Sequence, residues 1–228
     1  MLKRAARFAL LVFVAASTLA FAAEEIAVVI KLEGEVRFTP ANSTQGNKVQ
    51  KGQVLKHGDK LETGTAAYCA IKFLDDKSLL RIKENSSCVI EGKRKENAIE
   101  KSIFVEAGSF FLNLFKQKEP FKVTTPTSVA SVKGTAFWVL QFRQSGETRY
   151  VITDGALQVD NNAGKVLGKK GQTVIALSRN RLPEVRLTQP GDIPFDEADA
   201  SSVRTLDFEF NNSSGQTKIL RIQLKNRD

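Results

Sequence analysis

The stretch Phe121-Lys-Val-Thr-Thr-Pro-Thr-Ser-Val-Ala-Ser-Val-Lys-Gly-Thr-Ala-Phe-Trp-Val-Leu140 decides the fold. Its first residues alternate apolar and polar side chains, as a half-buried strand does. Pro126 cannot donate a hydrogen bond to a sheet, and Gly134 can adopt backbone angles that other residues avoid, so we expect breaks at both. The run from Phe137 to Leu140 is apolar at both parities, which is typical of a strand covered on both faces. The stretch therefore predicts strand, break and strand.

The same alternation continues on both sides of this stretch, with turn residues about every ten positions. The residues with the clearest inward parity are Ala67, Cys69, Ile71, Phe73, Leu80, Ile82, Cys88, Ile90, Ile103, Val105, Phe110 and Leu112. No long amphipathic helix pattern is found. The sequence therefore predicts an all-β domain over residues 23–182, either a β-sandwich or a rolled, solenoid-like arrangement of short strands.

The C-terminal region has a different composition. Residues 183–202 contain several prolines and acidic residues, which predicts a linker. Within residues 203–228, apolar residues share one parity in each of two short runs around Asn211-Asn-Ser-Ser-Gly215. That pattern predicts a C-terminal β-hairpin with one apolar face.

The N-terminus has the pattern of a secretory signal peptide over residues 1–22. Basic residues precede a short apolar run, and Ala20-Phe21-Ala22 provides small residues for cleavage after Ala22. The apolar run is shorter than the roughly 20 residues that cross a bilayer, although an uncleaved membrane anchor is the alternative. We therefore expect an exported, periplasmic protein with no stable membrane span in the mature chain.

The charge of the chain is basic but scattered. The full sequence has 34 basic and 25 acidic residues and a net charge of +9, which falls to +6 without Lys3, Arg4 and Arg7. The lysine clusters lie beside glycine or asparagine, so they fit solvated turns better than an anion-binding surface. Aromatic residues do not interleave with them, which argues against a nucleic-acid partner.

Residues suited to catalysis are few. His57 is the only histidine, and it lies in a predicted turn, as do Asp75, Asp76 and Asp154. Turn carboxylates more often cap or solvate a turn than bind a metal or transfer protons. No nucleophile motif or phosphate-binding glycine loop is found. The sequence therefore predicts no catalytic, cofactor-binding or metal site, and no enzyme.

Two groups of residues resemble the FecR domain, a bacterial envelope module. The first group is Thr125, Pro126, Lys133, Gly134, Thr135 and Phe137, and the second is Asp154, Gly155, Gly171 and Gln172. Lys133 stands where the family usually has arginine, and Lys77 stands where it usually has glycine. The resemblance covers roughly residues 30–177 and implies a structural role for these motif residues.

The resemblance also implies a function. FecR regulators join an extracytoplasmic FecR domain to a cytoplasmic anti-sigma segment, which we expect to be missing from this chain. The expected protein is a stand-alone exported FecR-domain protein that binds another envelope protein in signalling or assembly, by strand addition at an exposed edge. The alternative is a binding module for an envelope glycan such as peptidoglycan. The only tryptophan, Trp138, lies in the apparent core, which favours the protein partner.

The two cysteines, Cys69 and Cys88, suggest a disulfide. Both have inward parity, and an exported protein meets an oxidising compartment. The alternative is two buried free thiols that act as small apolar core residues. We expect the disulfide.

Overall fold

The computed structural model describes residues 24–95, 98–116 and 120–194, together with the backbones of two further strands at 204–211 and 217–224. The predicted signal peptide, the end of the predicted linker and the tip of the C-terminal hairpin lie outside the described residues. Among the residues that are described, no helix has the length and hydrophobicity needed to cross a membrane.

The main part of the chain folds into short strands, with one strand of 16 residues, β9. In chain order the strands are β1 (Glu25–Glu33), β2 (Val36–Thr39), β3 (Asn47–Lys48), β4 (Val54–Lys56), β5 (Asp59–Thr63), β6 (Tyr68–Phe73), β7 (Leu79–Ile82), β8 (Ser87–Lys95), β9 (Ala98–Asn113), β10 (Phe121–Thr124), β11 (Val129–Val132), β12 (Ala136–Gln141), β13 (Thr148–Asp154), β14 (Ala156–Asn161), β15 (Gly164–Lys169), β16 (Gln172–Ala176) and β17 (Glu184–Leu187). A 3-10 turn, Pro190–Asp192, follows.

The strands form two layers that share β9. The first layer has the order β17-β16-β13-β12-β9-β7-β6-β1-β4. The second has the order β3-β2-β5-β8-β9-β10-β11-β14-β15. The described pairs are antiparallel except for β9 with β10. The all-β class predicted from the sequence is therefore confirmed, in its sandwich form.

Gly108 lies where β9 passes from one layer to the other. Residues before it pair with β8 and β10, and residues from it onward pair with β7 and β12. Its φ is +109°, and a Cβ atom here would lie 2.1 Å from Ser86 Oγ. A side chain therefore does not fit at this position. The buried side chains of β9 lie at odd positions such as Val105 before Gly108, and at even positions such as Phe110 after it.

One hydrophobic core fills the space between the layers. Phe73 from the first layer and Phe121 from the second meet edge to face, with ring centroids 5.3 Å apart. Both side chains are fully buried, as are Ile71, Ile82, Ile90 and Ile103 among the inward residues named above. Contacts of this kind tie the two layers into one packed unit.

The N-terminal strand departs from simple alternation. Ala27 and Val29 are buried, whereas Ile30 is 37% exposed, although simple alternation from the buried Ile26 would place Ile30 on the inward face. The pairing of β1 with β4 shifts between Glu25 and Ala27, and its pairing with β6 shifts between Val29 and Lys31. Each irregularity adds a residue to one strand and turns the following side chains to the other face.

The C-terminal region differs from the predicted linker at its start. Residues 184–187 form β17, which pairs antiparallel with β16, so this part of residues 183–202 belongs to the sandwich. Val185 lies opposite Val174, and this pairing overrides the breaking effect of the nearby prolines. Contacts divide the chain into residues 1–188 and 189–228. In the second unit β18 (Arg204–Asn211) and β19 (Thr217–Leu224) pair antiparallel, with Leu206 opposite Ile222, as the predicted hairpin requires.

Candidate functional site

The Thr125-Pro126 motif closes a buried turn between β10 and β11. The amide of Thr125 donates to the carbonyl of Ser128 at 2.9 Å, and its hydroxyl accepts a 3.2 Å hydrogen bond from the amide of Ser128. The Ser128 hydroxyl lies 3.0 Å from the hydroxyl of Tyr150. Burial raises the pKa of Tyr150 to about 12, so the phenol stays protonated and remains a hydrogen-bonding partner. The motif is part of a satisfied internal network.

The network continues through a second pair of hydroxyl groups. Thr127 and Thr148 are buried, and their hydroxyl oxygens lie 2.6 Å apart. The Thr148 hydroxyl also donates to the side-chain carbonyl of Gln141. Since these groups satisfy one another, the cluster rigidifies this end of the sandwich and leaves no polar group free for a ligand.

The Lys133-Gly134-Thr135 motif lies at the other end of β11, about 13 Å away along the strand. Gly134 has a φ of +124°, as its predicted role in a turn requires, and a Cβ atom on it would lie 3.0 Å from Cα of Lys116. Thr135 is buried, and its hydroxyl donates to the carbonyl of Ala156 at 2.8 Å. Phe137 is fully buried in the core.

The remaining motif residues join this end. Gly155 lies against the Lys133 turn, since a Cβ atom on it would be 3.0 Å from the carbonyl oxygen of Gly134. The amide of Lys170 donates to the carbonyl of Gly155 at 3.0 Å, and that of Gly171 to the carbonyl of Ile152 at 2.9 Å. The Gln172 side chain accepts a hydrogen bond from the amide of Lys169. The structure thus brings the Lys133, Asp154 and Gly171 motifs together, whereas Thr125 and Pro126 lie apart.

An open groove of about 410 Å³ lies at this junction. The residues that line it include Phe115, Lys116, Lys133 and Asp154. Phe115 is 58% exposed. The Asp154 carboxylate forms a 3.2 Å ion pair with Lys170. The groove therefore combines an exposed aromatic ring with a local excess of positive charge.

Sequence reasoning missed Phe115 and Lys116, which follow β9. Backbone hydrogen bonds hold this segment, from the amide of Leu114 to the carbonyl of Thr135 at 3.1 Å and from that of Phe115 to the hydroxyl of Ser78 at 3.1 Å. The partners in these contacts are distant in sequence, so the local sequence pattern does not predict them. Only the exposure of an aromatic residue next to a lysine distinguishes the segment.

The turn carboxylates Asp75 and Asp76 have a structural partner, Lys101. Its ammonium group lies 2.8 Å from both oxygens of Asp75 and 2.6 Å from Oδ2 of Asp76, and its residue is 1% exposed. The contact with Asp76 is an ion pair without good hydrogen-bond geometry, because Oδ2 has no hydrogen-bond partner. Inward parity with Ile99 and Ile103 was the signal in the sequence that could have found this buried lysine.

Cys69 and Cys88 are free thiols in the structure, which does not contain the predicted disulfide. Both are fully buried, and they lie in different layers, with Cys69 opposite Ile82 and Cys88 opposite Leu61. Burial raises the pKa of Cys69 to about 12 and also raises that of Cys88. The inward parity was predicted correctly, but parity does not bring two sulfur atoms into bonding geometry.

His57, the only histidine of the sequence, makes a local hydrogen bond. Nδ1 of His57, on an exposed turn, accepts a 3.1 Å hydrogen bond from the amide of Gly92. Within the described part of the chain, no group of three or more histidine, cysteine or acidic side chains is placed to hold a metal ion.

Part of the domain is similar to known proteins. Residues 59–158 match the family described as FecR protein. Two crystal structures of a "putative anti-sigma factor" from Parabacteroides distasonis ATCC 8503, at 1.65 and 2.50 Å resolution, are similar in fold. Their TM-scores are 0.50 and 0.51 at 14% sequence identity; the likeness covers 68% and 67% of this chain and 70% and 67% of theirs. No curated protein matches the sequence. The FecR resemblance predicted from the sequence is therefore confirmed for residues 59–158.

Proposed function

We propose that this protein is an exported, periplasmic FecR-domain protein that binds another envelope protein at an open sheet edge and catalyses no reaction. The family match supports a role in signalling, and so does the "putative anti-sigma factor" of similar fold. The observation that carries the proposal is the edge formed by β17.

The β17 edge has the features of a strand-addition site. Among the described strands, β17 pairs only with β16, so one of its edges has no strand beside it. Leu187 is 76% exposed, Val185 is 39% exposed, and Leu182 just before the strand is 51% exposed. An added strand would satisfy backbone groups at this edge and cover these apolar side chains.

A glycan partner is less well supported. Glycan binding commonly uses an exposed aromatic platform, and Trp138 is only 2% exposed. It packs against Phe111, with ring centroids 5.1 Å apart. The tryptophan therefore contributes to packing, and the β17 edge is the stronger candidate for the partner site.

Site-specific photo-crosslinking in intact cells tests the proposal. A photoreactive residue at position 187 should capture one envelope protein, whereas the same residue at position 167, also an exposed leucine, should not. With the captured protein purified, the β17 amides should exchange hydrogen more slowly in the complex. Equal capture at both positions, or unchanged exchange, would contradict strand addition.

Export is tested separately by N-terminal sequencing of the protein from the envelope fraction. The mature chain should begin at Ala23. An intact Met1 terminus in the membrane fraction would support an anchor, and recovery from the cytoplasm would contradict the proposed location.

A further inference from the structure

We propose that the groove formed by Phe115, Lys116, Lys133 and Asp154 binds an acidic peptide segment, through ion pairs from its carboxylates to the two lysines. This site is separate from the β17 edge, and the inference does not rest on strand addition there. The ligand class follows from the charge, the apolar ring and the fixed backbone of the groove.

The charge of the groove is uncompensated. Lys116 and Lys133 are exposed, and neither forms an ion pair with any carboxylate of the described residues. The carboxylate of Asp154 is held by Lys170. Some other surface lysines of the domain have carboxylate partners, for example Lys60 with Glu106 at 2.8 Å. The two groove lysines thus leave positive charge available to a ligand.

The ring of Phe115 favours an acidic peptide over inorganic phosphate as the anionic ligand. It is 58% exposed beside the lysines, so an acidic peptide can cover it with an apolar side chain while its carboxylates meet the ammonium groups. Inorganic phosphate cannot use such a ring. Phosphate is also matched best by the planar, bidentate guanidinium group of arginine, whereas a lysine provides a point charge.

The walls of the groove are held in place before a ligand arrives. Leu114 and Phe115 are fixed by backbone hydrogen bonds to Thr135 and to the hydroxyl of Ser78. The close approach of Gly134 to Lys116 sets the distance between the two walls. A preorganised site loses less entropy on binding, which favours recognition of a short segment.

Fluorescence anisotropy of a dye-labelled peptide tests the inference. The probe alternates aspartate and leucine, and its control alternates asparagine and leucine. The double variant Lys116→Gln, Lys133→Gln should weaken binding of the acidic probe by about tenfold, the scale expected for two exposed ion pairs. The matched variant Lys48→Gln, Lys51→Gln removes two exposed lysines elsewhere and should change binding by less than about twofold.

A Phe115→Ser variant should weaken the acidic probe further by removing its apolar contact. Melting curves of all variants confirm that each one is folded. Three results would overturn the inference: no binding of the acidic probe to the full protein, equal binding of the asparagine control, or equal losses in the two double variants. Binding of phosphatidylglycerol vesicles that depends on Lys116 and Lys133, without binding of the peptide, would assign the groove to lipid instead and also overturn it.

Discussion

Lys101 and Lys133 carry the same charge in opposite surroundings. Lys101 is 1% exposed between the layers, lies against the ring of Phe73 at 5.4 Å, and pairs with Asp75 and Asp76. Lys133 is exposed at the groove and has no ion pair with the described residues. A buried ion pair is part of the packed structure, because removal of the lysine leaves its carboxylate partners without a counter-charge. An exposed charge without a partner costs the fold little and is free to meet a ligand.

The largest expected effect is a difference in the rate of chemical modification between side chains in the core and side chains in the groove. In the folded protein Cys69 and Cys88 should react with an alkylating reagent about a thousandfold more slowly than in the unfolded protein, because opening of the core is required. Amine acetylation should modify Lys133 and leave Lys101 unmodified. Mass spectrometry of the labelled protein measures both reactions.

The pH dependence of alkylation has a defined sign. Burial raises the pKa of Cys69 from 9.0 to about 12, so folding favours the protonated thiol. Labelling of the folded protein proceeds through opening of the core, where the thiol is exposed as in the unfolded protein. Raising the pH from 7 to 9 should therefore speed labelling of the folded protein at least as much as labelling of the unfolded protein, because deprotonation of the exposed thiol also favours opening. Unfolded, unreduced protein should take up two alkyl groups; a chain that takes up none until reductant is added would contain the disulfide after all.

A Lys101→Ala variant should lower the free energy of unfolding by about 2–4 kcal/mol, because it leaves two carboxylates without their counter-charge. The lower end allows for the water that reaches Asp75 and Asp76, whose side chains are 21% and 20% exposed. Lys133→Ala, its matched control, should change the free energy by less than about 0.5 kcal/mol. Urea denaturation measures both, and equal losses would remove the distinction between the two lysines.

Gly134→Val should show that the backbone of the groove, unlike its lysines, contributes to stability. The new side chain meets a left-handed backbone and Cα of Lys116 at 3.0 Å, so we expect a loss of about 1–3 kcal/mol. The control is Gly46→Val, at an exposed glycine whose φ is outside the left-handed region. A melting temperature unchanged by Gly134→Val would show that this turn relaxes freely.

The smallest effect is expected at Lys77, in the turn that supplies the partners of Lys101. Its φ of +63° is unfavourable for a residue with a side chain, and the residue is exposed. Lys77→Gly should therefore stabilise the protein by up to about 1 kcal/mol, which thermal unfolding can measure. A loss of stability would mean that the Lys77 side chain contributes more than the strain it carries.

Local alternation predicted the inward residues of β6, β7 and β8 correctly, because those strands run without interruption. It failed in β1, where bulges move Val29 inward and Ile30 outward, since a bulge has no signature in apolar periodicity. The break at Gly134 was predicted from residue type, and Lys77, which stands where the family usually has glycine, has a φ of +63°. These properties depend on near neighbours along the chain.

The groove and the buried lysine could not be predicted in this way. Lys116 meets Gly134, and Lys101 meets Asp75 and Asp76, only because strands distant in sequence become neighbours. Alternation likewise gives the face on which Cys69 and Cys88 lie, but not the distance between their sulfur atoms, on which a disulfide depends. The proline content of residues 183–202 likewise favoured a linker over a strand, because the pairing of β17 with β16 is not visible in the local sequence.

The shared strand β9 has a consequence for how the domain unfolds. Its first half holds together β8 and β10, and its second half holds together β7 and β12, with Gly108 between them. Each half of β9 is the central strand of one sheet, so disordering of β9 removes the central strand of both sheets. Heat or denaturant should therefore melt both sheets in one cooperative step, and a single protease cut near Gly108 would disable both at once.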